Sequence, residues 1–322
     1  MRFEDVCLES RPCPLGCPPD DEAVLTGRDR LHDLPGNFRV VRCRTCGLMR
    51  TDPRPSPDTM GFYYPDHYGP YVDTRISITR SENLWQRWKQ QGRHWARSLT
   101  DMRMESLPPL SSGRLLEIGC TSGSFLHRTA MKGWQVEGIE FSATAATAAR
   151  AQGYRVHLGV VETAPAPAQP VDLVVGWMVL EHLHDPVVAL RKLHSWTRSG
   201  GWLAISVPNA ASFALPLFGN AWFALHLPNH LYHYTPQTLA KVLDRGGWCI
   251  ERVLYQRDIA DVVASCGYIL RDRRLFLSIA ERLTRFPDRG GVARAMIFPL
   301  GCVFAALERT GALTVWARKK DE

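Results

Sequence analysis

Two short cysteine pairs near the N-terminus have the spacing of metal ligands. Cys13 and Cys17 form a C-x-x-x-C pair, and Cys43 and Cys46 form a C-x-x-C pair. Four thiolates at such spacing typically make a closed, tetrahedral zinc site with a structural role. The first pair has one residue more than usual, which leaves Cys7 as an alternative ligand. Buried free thiols are the alternative to a metal site.

Histidines make up a second group of candidate residues. His182 follows a predicted strand, and His230 and His233 lie three residues apart in an aromatic stretch that also contains His226. An imidazole can take up a proton near neutral pH, so His182, His230 and His233 are candidate catalytic bases. We expect His230 and His233 to face one pocket with Tyr232. The alternatives are a helix cap for His182 and packing or metal binding for the aromatic stretch.

A third feature is a turn that contains Gly119, Thr121 and Gly123 between a predicted strand and a predicted helix. Such a turn lets a ligand approach the backbone at the carboxyl end of a strand. Glu140 ends the next strand, where a carboxylate can accept hydrogen bonds from both hydroxyls of a ribose. The glycine spacing differs from the G-x-G-x-x-G of a dinucleotide site. With Glu117 nearby, it favours S-adenosylmethionine (SAM), which carries sulfonium and ammonium cations.

The elements that must position these residues alternate between strands and helices from about residue 112 onward. Short apolar runs predict strands at 114–118, 136–139, 154–158, 171–176, 202–207, 248–255 and 313–317. Helical spacing and capping residues predict helices at 123–132, 142–151 and 185–196, and a further helix that Thr235 and Pro236 begin. This alternation predicts an α/β fold with a mostly parallel sheet. Residues 257–311 are predicted as a helical insertion before the last strand.

Four segments resemble, in order and spacing, the motifs of class I SAM-dependent methyltransferases. Residues 115–124 resemble motif I, 136–142 the ribose-binding motif and 200–209 the fifth-strand motif. Residues 172–186 resemble the fourth-strand motif of the ubiquinone O-methyltransferase-like group. The resemblance implies a Rossmann-like, seven-stranded sheet that ends in an antiparallel pair of strands. Thr121 departs from the family, which often has a glycine there.

The resemblance also implies roles for individual residues. The residues around SAM would be Glu117, Gly119, Thr121, Gly123, Glu140, Phe141, Val161, Glu162 and Trp177. Among these, Glu140 would hold the ribose hydroxyls and Glu162 the exocyclic amine of adenine. The Glu181-His182 pair resembles part of a metal-assisted site in quinone O-methyltransferases. Because residues 177–179 lack the other acids of that site, we expect no catalytic metal.

Three regions are predicted along the chain. Residues 1–78 form a zinc-binding module and an aromatic connector, 79–110 a bridging helix, and 111–322 the methyltransferase domain. The module resembles one that precedes some methyltransferases of bacterial envelope and secondary metabolism, and zinc knuckles also occur in certain ribosomal-RNA methyltransferases. The scattered Cys120, Cys249, Cys266 and Cys302 are predicted to be small core residues.

Composition limits the function classes. Hydrophobic residues make up 45% and charged residues 22% of the chain, which is typical of a globular protein, and the net charge is +7. The N-terminus shows no export signal, so we expect a cytoplasmic protein. The uncharged run 295–307 is too short to span a bilayer, and we expect a buried helix there rather than a membrane-surface contact.

The sequence thus predicts a SAM-dependent methyltransferase that acts on a small-molecule, sugar or lipid-linked acceptor. O-methylation is the leading expectation, with C- or N-methylation as alternatives. The basic charge and the zinc module leave an RNA methyltransferase as the second hypothesis. A non-catalytic SAM-binding protein is the third.

Overall fold

A computed structural model describes residues 2–65 and 105–320, with the backbone alone at 288, 289, 291 and 292. Nearly all of the predicted bridging helix of 79–110 lies outside the described residues. So does the second half of the aromatic connector.

The N-terminal region is built from short strands. Strand β1 (Leu8–Glu9) pairs with β5 (Arg54–Pro55), while β2 (Asp21–Gly27), β3 (Phe38–Cys43) and β4 (Met49–Thr51) form an antiparallel sheet. Along β3 the residues at both ends and in the middle are buried and those between are exposed, as expected for a sheet with one covered face.

The main domain is a seven-stranded sheet with helices on both faces. Its strands are β6 (Arg114–Ile118), β7 (Gln135–Glu140), β8 (Arg155–Leu158), β9 (Val171–Trp177), β10 (Thr197–Pro208), β12 (Trp248–Tyr255) and β13 (Ala312–Lys319). The order across the sheet is β12-β13-β10-β9-β6-β7-β8, and β13 runs antiparallel to both of its neighbours. This is the predicted class I fold, with the last strand inside the sheet.

Local capping explains where the sheet's helices begin. The helices are α1 (Ser124–Ala130), α2 (Ala143–Ala151), α3 (Pro186–Trp196), the short α4 (Ala214–Phe218) and α5 (Pro236–Arg245). The Ser142, Asp185 and Thr235 side chains accept hydrogen bonds from the first turns of α2, α3 and α5. A proline occupies the first position of α3 and α5, where no backbone N–H donor is needed.

A two-residue strand joins the N-terminal module to the main domain. Strand β11 (Tyr232–His233), from the connection that follows β10, pairs with β4 as the edge of the module's sheet. The backbone N–H of Thr51 also donates to the Leu231 carbonyl (2.9 Å), and the Thr51 hydroxyl donates to the His230 carbonyl (2.7 Å). The module therefore fixes the backbone of the histidine-containing segment.

The predicted insertion is helical, but its last helix is not buried. Between β12 and β13 lie α6 (Ala260–Asp272), α7 (Leu277–Thr284), α8 (Phe286–Arg289) and α9 (Gly291–Ala306). Met296, Leu300 and Val303 on α9 are exposed, so the expectation of a buried helix is wrong. None of the helices in the described ranges has the length and apolar character needed to cross a bilayer.

The scattered cysteines also differ from the prediction. Cys120 is buried beneath the glycine turn, but Cys249 and Cys266 are exposed and Cys302 is half-buried. Cysteine is a weak predictor of burial when its neighbours give no periodic pattern.

One ion pair holds the start of β2 against β4. The Arg50 guanidinium donates two hydrogen bonds to the Asp21 carboxylate, at 2.8 and 2.6 Å, and only 6% of the Arg50 side chain is exposed. The hydrogen bonds from Arg50 lower the pKa of Asp21. The stabilisation they provide is therefore present above the ordinary pKa of aspartate and is lost as the pH falls through the lowered value.

We predict that Asp21→Asn lowers the free energy of unfolding at pH 7 by about 2 kcal/mol, because it leaves a buried guanidinium without its charged partner. Urea unfolding followed by tryptophan fluorescence measures the change. Glu22→Gln is the matched control, since the adjacent Glu22 pairs with Arg42 on β3 and this ion pair is exposed. Equal losses in the two variants would contradict the prediction.

Candidate active site

A large cavity opens at the carboxyl ends of the parallel strands. The described residues enclose about 1270 Å³ between the glycine turn, the N-terminal module and the helical insertion. Ligands of open α/β sheets bind at this edge because the loops after the strands surround it. Nine predicted site residues line the cavity: Gly119, Thr121, Glu140, Phe141, Val161, Glu162, Trp177, His182 and His230.

The glycine turn and Glu140 form one end of the cavity. The Glu140 carboxylate accepts hydrogen bonds from the backbone N–H groups of Thr121 and Ser142, both at 2.8 Å. Burial raises the pKa of Glu140, and these backbone donors oppose that rise. Each carboxylate oxygen has a second lone pair, so Glu140 can also accept hydrogen bonds from a ligand's hydroxyls.

Close packing dictates the glycines of this turn. Gly119 has φ +67°, and a Cβ atom there would lie 2.5 Å from Cγ2 of Val179. Thr121 has φ +47°, a conformation that a glycine would adopt with less strain, so the departure from the family pattern falls at a strained position. Gly123 precedes α1 with φ +83° and packs on Ala149, and it does not line the cavity.

Glu117 lies below the turn rather than in the cavity wall. It is fully buried on β6, and burial raises its pKa well above the ordinary value. Its Oε2 atom finds no hydrogen-bond partner among the residues that the structure describes.

Unpaired polar groups mark the adjoining wall. Phe141 and Val161 both line the cavity, and Phe141 is half-exposed whereas Val161 is buried. The Oε2 atom of Glu162 and the indole N–H of Trp177 are buried without a hydrogen-bond partner within the described ranges. Buried polar groups are nearly always paired in native proteins, so this wall is suited to a ligand with polar groups.

A buried carboxylate and three histidines form the other end of the cavity. Glu181, His182, His226 and His230 all line it, and the His230 ring lies 4.7 Å from the His182 ring and 4.8 Å from the His226 ring. Nε2 of His230 lies 4.0 Å from a Glu181 oxygen. Burial lowers the pKa of His182 to about 4 and that of His226 to about 3, so the rings are neutral at pH 7.

Backbone carbonyls fix the tautomers of two of these rings. Nδ1 of His182 lies 2.9 Å from the Asn229 carbonyl oxygen, and Nδ1 of His230 lies 2.9 Å from the Ala224 carbonyl oxygen. Nδ1 of His182 also lies 2.8 Å from the Tyr64 hydroxyl, whose oxygen can accept from the same N–H. A carbonyl can only accept a hydrogen bond, so the carbonyl contacts place the proton of both rings on Nδ1. The Nε2 lone pairs are therefore available for a proton or a ligand.

His233 does not belong to this group. It is absent from the cavity wall, and its Nε2 lies 3.4 Å from the Thr51 hydroxyl. Because successive side chains of a strand point to opposite faces, Tyr232 faces the cavity and His233 faces away. The expectation that His230 and His233 share one pocket is wrong. His226, rather than His233, lines the cavity together with His230. The two are one turn apart, and the backbone N–H of His230 donates to the His226 carbonyl (3.0 Å).

The four predicted cysteines come together where the module packs on the main domain. One sulfur from each of Cys13, Cys17, Cys43 and Cys46 lies within 4.8 Å of the others, and the Cys13 and Cys46 sulfurs are 3.5 Å apart. Cys7 is exposed and outside the cluster. The donor set and its closeness fit a tetrahedral zinc ion.

The helical insertion supplies a polar wall that the sequence analysis did not identify. Asp261 and Tyr268 on α6 line the cavity together with the ion-paired Asp258 and Arg294. The Asp261 carboxylate accepts a hydrogen bond from the Trp222 indole (3.0 Å), and burial raises its pKa to about 6. Helical periodicity alone does not show which residues of an insertion turn toward a site.

Comparison with known proteins agrees with this geometry. The sequence model of a family described as "Methyltransferase domain" matches residues 86–253, more than half of the chain. The ubiquinone biosynthesis O-methyltransferase of Xanthomonas oryzae pv. oryzae (strain PXO99A) is 28% identical over 164 residues, which cover 48% of this chain and 67% of that protein. The enzyme of the same name from Xanthomonas axonopodis pv. citri (strain 306) is 31% identical over 157 residues, which cover 44% and 65%.

Solved structures with a similar fold include two described as SAM-dependent methyltransferases. The one from Mesorhizobium loti is 20% identical with a TM-score of 0.45 and covers 69% of this chain and 97% of its own. The one from Archaeoglobus fulgidus is 18% identical with a TM-score of 0.46 and covers 74% and 100%.

The close contact at Gly119 gives a prediction for cofactor affinity. Gly119→Ala should weaken SAM binding by about tenfold or more, because the new methyl group strains the turn and displaces Val179. Calorimetric titration with SAM measures this. Gly153→Ala is the control, since Gly153 has a similar φ of +89° but open space around the new Cβ. Comparable weakening in both variants would contradict a role for the clash.

Proposed function

Because the chain belongs to the class I SAM-dependent methyltransferases, we propose that it transfers the methyl group of SAM to an oxygen of a small-molecule, sugar or lipid-linked acceptor. One observation carries this proposal. A single cavity joins the turn around Glu140 to a buried cluster of Glu181, His182 and His230. The first end suits an adenosine cofactor and the second suits a group that must lose a proton.

In the proposed arrangement SAM lies along the carboxyl ends of β6, β7 and β9. Glu140 accepts hydrogen bonds from the ribose hydroxyls, and Phe141 and Val161 flank the adenine. Glu162 accepts from the exocyclic amine of adenine. This role of Glu162 is supported by its Oε2 atom, which is buried in the cavity wall and has no hydrogen-bond partner among the described residues.

Methyl transfer itself is a displacement at a carbon that the sulfonium already activates. An oxygen lone pair of the acceptor forms the new O–CH₃ bond, and the S–CH₃ electron pair returns to sulfur, which leaves neutral S-adenosylhomocysteine. The hydroxyl proton has to leave as well. We propose that His182 and His230 promote this deprotonation, because their Nε2 atoms are not engaged by the carbonyls that hold Nδ1. His233, the third candidate in the sequence, would serve packing.

The form of the cavity favours a compact acceptor over a nucleic-acid helix. Its acceptor end is enclosed by the module, by the segment that contains Tyr232 and by α6 of the insertion. Burial of this kind excludes water and orients the acceptor against the methyl group, which is the larger part of catalysis in an in-line displacement.

We further propose that a zinc ion occupies the four-cysteine cluster and has a structural role. Leu48 and Met60 pack with Cys43 and Cys46 in the same buried cluster as Leu231 and Tyr234. The Lys241 ammonium on α5 donates to the Cys46 carbonyl (2.9 Å). A zinc ion there would stabilise β4 and, through β4, the acceptor end of the cavity.

Methyl-labelled SAM and a cell extract test the proposed function directly. We expect label from the purified protein to appear in a small-molecule, glycan or lipid fraction, and to be absent with Glu140→Ala, which removes the ribose acceptor. Label that appears in RNA and disappears after nuclease treatment would overturn the proposed acceptor class.

The same assay tests the histidines. His182→Ala and His230→Ala should keep SAM affinity but lower turnover by roughly 100-fold, the usual contribution of proton transfer. His194→Gln is the control, because His194 bonds to the Lys320 carbonyl, remote from the cavity. Near-normal turnover of both alanine variants would contradict the assigned role.

Loss of the proposed zinc should affect the acceptor more than the cofactor. We predict that Cys46→Ser lowers zinc content, thermal stability and kcat/KM for the acceptor, while SAM affinity stays within about twofold, because the glycine turn lies on other strands. Elemental analysis, thermal unfolding and calorimetry measure the three effects.

Cys7→Ser is the matched control, since Cys7 is exposed and outside the cluster. If Cys46→Ser retained a full complement of zinc, the cysteine assignment would be incorrect. If SAM affinity fell as much as kcat/KM for the acceptor, the proposed link from the module to the acceptor end would be incorrect.

A further inference from the structure

Glu181 is a buried acidic side chain whose carboxylate lacks hydrogen-bond partners within the described ranges. It is fully buried, and neither of its carboxylate oxygens has a hydrogen-bond partner among the described residues. Within those residues no lysine or arginine forms an ion pair with it. A carboxylate removed from water without a partner is strongly destabilising, so a native structure is expected to supply a cation or a donor.

The groups nearest Glu181 are electron-pair donors rather than cations. One ligand atom from each of Glu181, His182 and His230 lies within 4.8 Å of the others, and Nε2 of His230 is 4.0 Å from a Glu181 oxygen. Both rings carry their proton on Nδ1, so neither can donate to the carboxylate through Nε2. The Nε2 lone pair of His230 and the Glu181 carboxylate therefore meet in one small volume at the cavity wall, with a ring nitrogen of His182 within 4.8 Å of both.

From this convergence we infer that Glu181, His182 and His230 bind a divalent first-row transition metal ion, with zinc as the natural occupant. The ion would compensate the buried carboxylate and use the lone pairs that the tautomers leave free. Two imidazoles and a carboxylate are a known catalytic zinc set, which leaves a coordination position open toward the cavity.

The hydrogen bonds behind the ligands agree with this assignment. Histidines that bind metals typically donate their second ring N–H to a backbone carbonyl or a carboxylate, which fixes the ring and raises its basicity. The Asn229 and Ala224 carbonyls accept this hydrogen bond from His182 and His230, respectively. The Thr51 hydroxyl in turn holds the His230 carbonyl (2.7 Å), so the module supports the third ligand.

This inference reverses one expectation from the sequence. We predicted no metal here because residues 177–179 lack the acids that accompany a Glu-His pair in quinone O-methyltransferases. The structure brings His230 from a distant segment to Glu181 instead. The residues next to Glu181 in the sequence gave no indication that His230 would be a ligand.

The catalytic consequence rests on the proposed function. An acceptor hydroxyl at the open position would have a lowered pKa, so that its proton could leave to solvent before the oxygen attacks the methyl group. His182 and His230 would then act as ligands that promote deprotonation, which keeps their predicted importance for turnover.

Metal content tests the site without any measurement of activity. The full-length protein, equilibrated with zinc and then separated from unbound ions, should contain one zinc ion per chain beyond the one proposed at the cysteines. Glu181→Gln and His230→Gln should each lose that ion and keep the other. His194→Gln should keep both, because it removes a half-buried imidazole that bonds to the Lys320 carbonyl and lies outside the cluster.

Cobalt substitution separates the two sites by their spectra. Cobalt at the four cysteines gives an intense sulfur charge-transfer band, while cobalt bound to nitrogen and oxygen gives only weak visible bands. The weak bands should vanish in Glu181→Gln and the sulfur band should persist.

The results distinguish this inference from the other proposals. A single zinc ion that is lost with His230→Gln would support the cluster site and contradict zinc at the cysteines. A second ion without any methyl transfer would support the site and contradict the proposed reaction. Zinc content that is the same in wild type, Glu181→Gln and His230→Gln would overturn the inference.

Discussion

The pairing of β4 with β11 is the constraint on which the proposed acceptor end of the cavity depends. The seven-stranded sheet by itself positions the glycine turn and Glu140, because these follow directly from β6 and β7. The histidine segment does not follow directly from a strand of that sheet but belongs to a long irregular connection after β10, which contacts the main domain through the hydrogen bond from the Leu231 N–H to the Glu181 carbonyl (2.8 Å). It is held from the other side by Arg50 and Met49, which pair with Tyr232 and His233. The N-terminal module is thus a part of the site rather than an appendage.

Burial is the main electrostatic influence at both ends of the cavity, but its effects differ. It raises the pKa of Glu140, which backbone N–H groups compensate, so that this carboxylate remains a hydrogen-bond acceptor. Burial also raises the pKa of Glu181, to about 8, because its own backbone N–H opposes the effect of burial only in part and no other described residue donates a hydrogen bond to the carboxylate. The Glu140 carboxylate has hydrogen-bond donors before a ligand binds, whereas the Glu181 carboxylate needs a cation or a proton to offset its burial. The same physical effect therefore separates a preorganised cofactor end from an acceptor end that needs a further component.

The extent of successful prediction follows from how local each signal is. The seven strands of the main sheet, the cap at Thr235 and the four-cysteine cluster were predicted, because periodicity, capping and short spacing are properties of neighbouring residues. Strand β11 could not be predicted, since two residues show no period and its partner lies far away in the sequence. The direction of His233 depends on that partner, and so this residue was misplaced. Helix α9 was expected to be buried because residues 295–307 carry no charge, yet apolar character alone does not supply a surface to pack against.

The positions of the two proposed metal sites give a reason for one ion to be structural and the other catalytic. Three of the four cysteines are buried in the hydrophobic cluster that joins the module to the main domain, where four thiolates would close the coordination shell and serve only to stabilise the fold. The Glu181 cluster lies at the wall of the cavity with three ligands, which leaves room for a fourth from the substrate. Thr51 connects the two, because its backbone belongs to the module's sheet and its hydroxyl holds the carbonyl of His230. An ion that stabilises the module would therefore also preserve the geometry of the ion that acts on the acceptor.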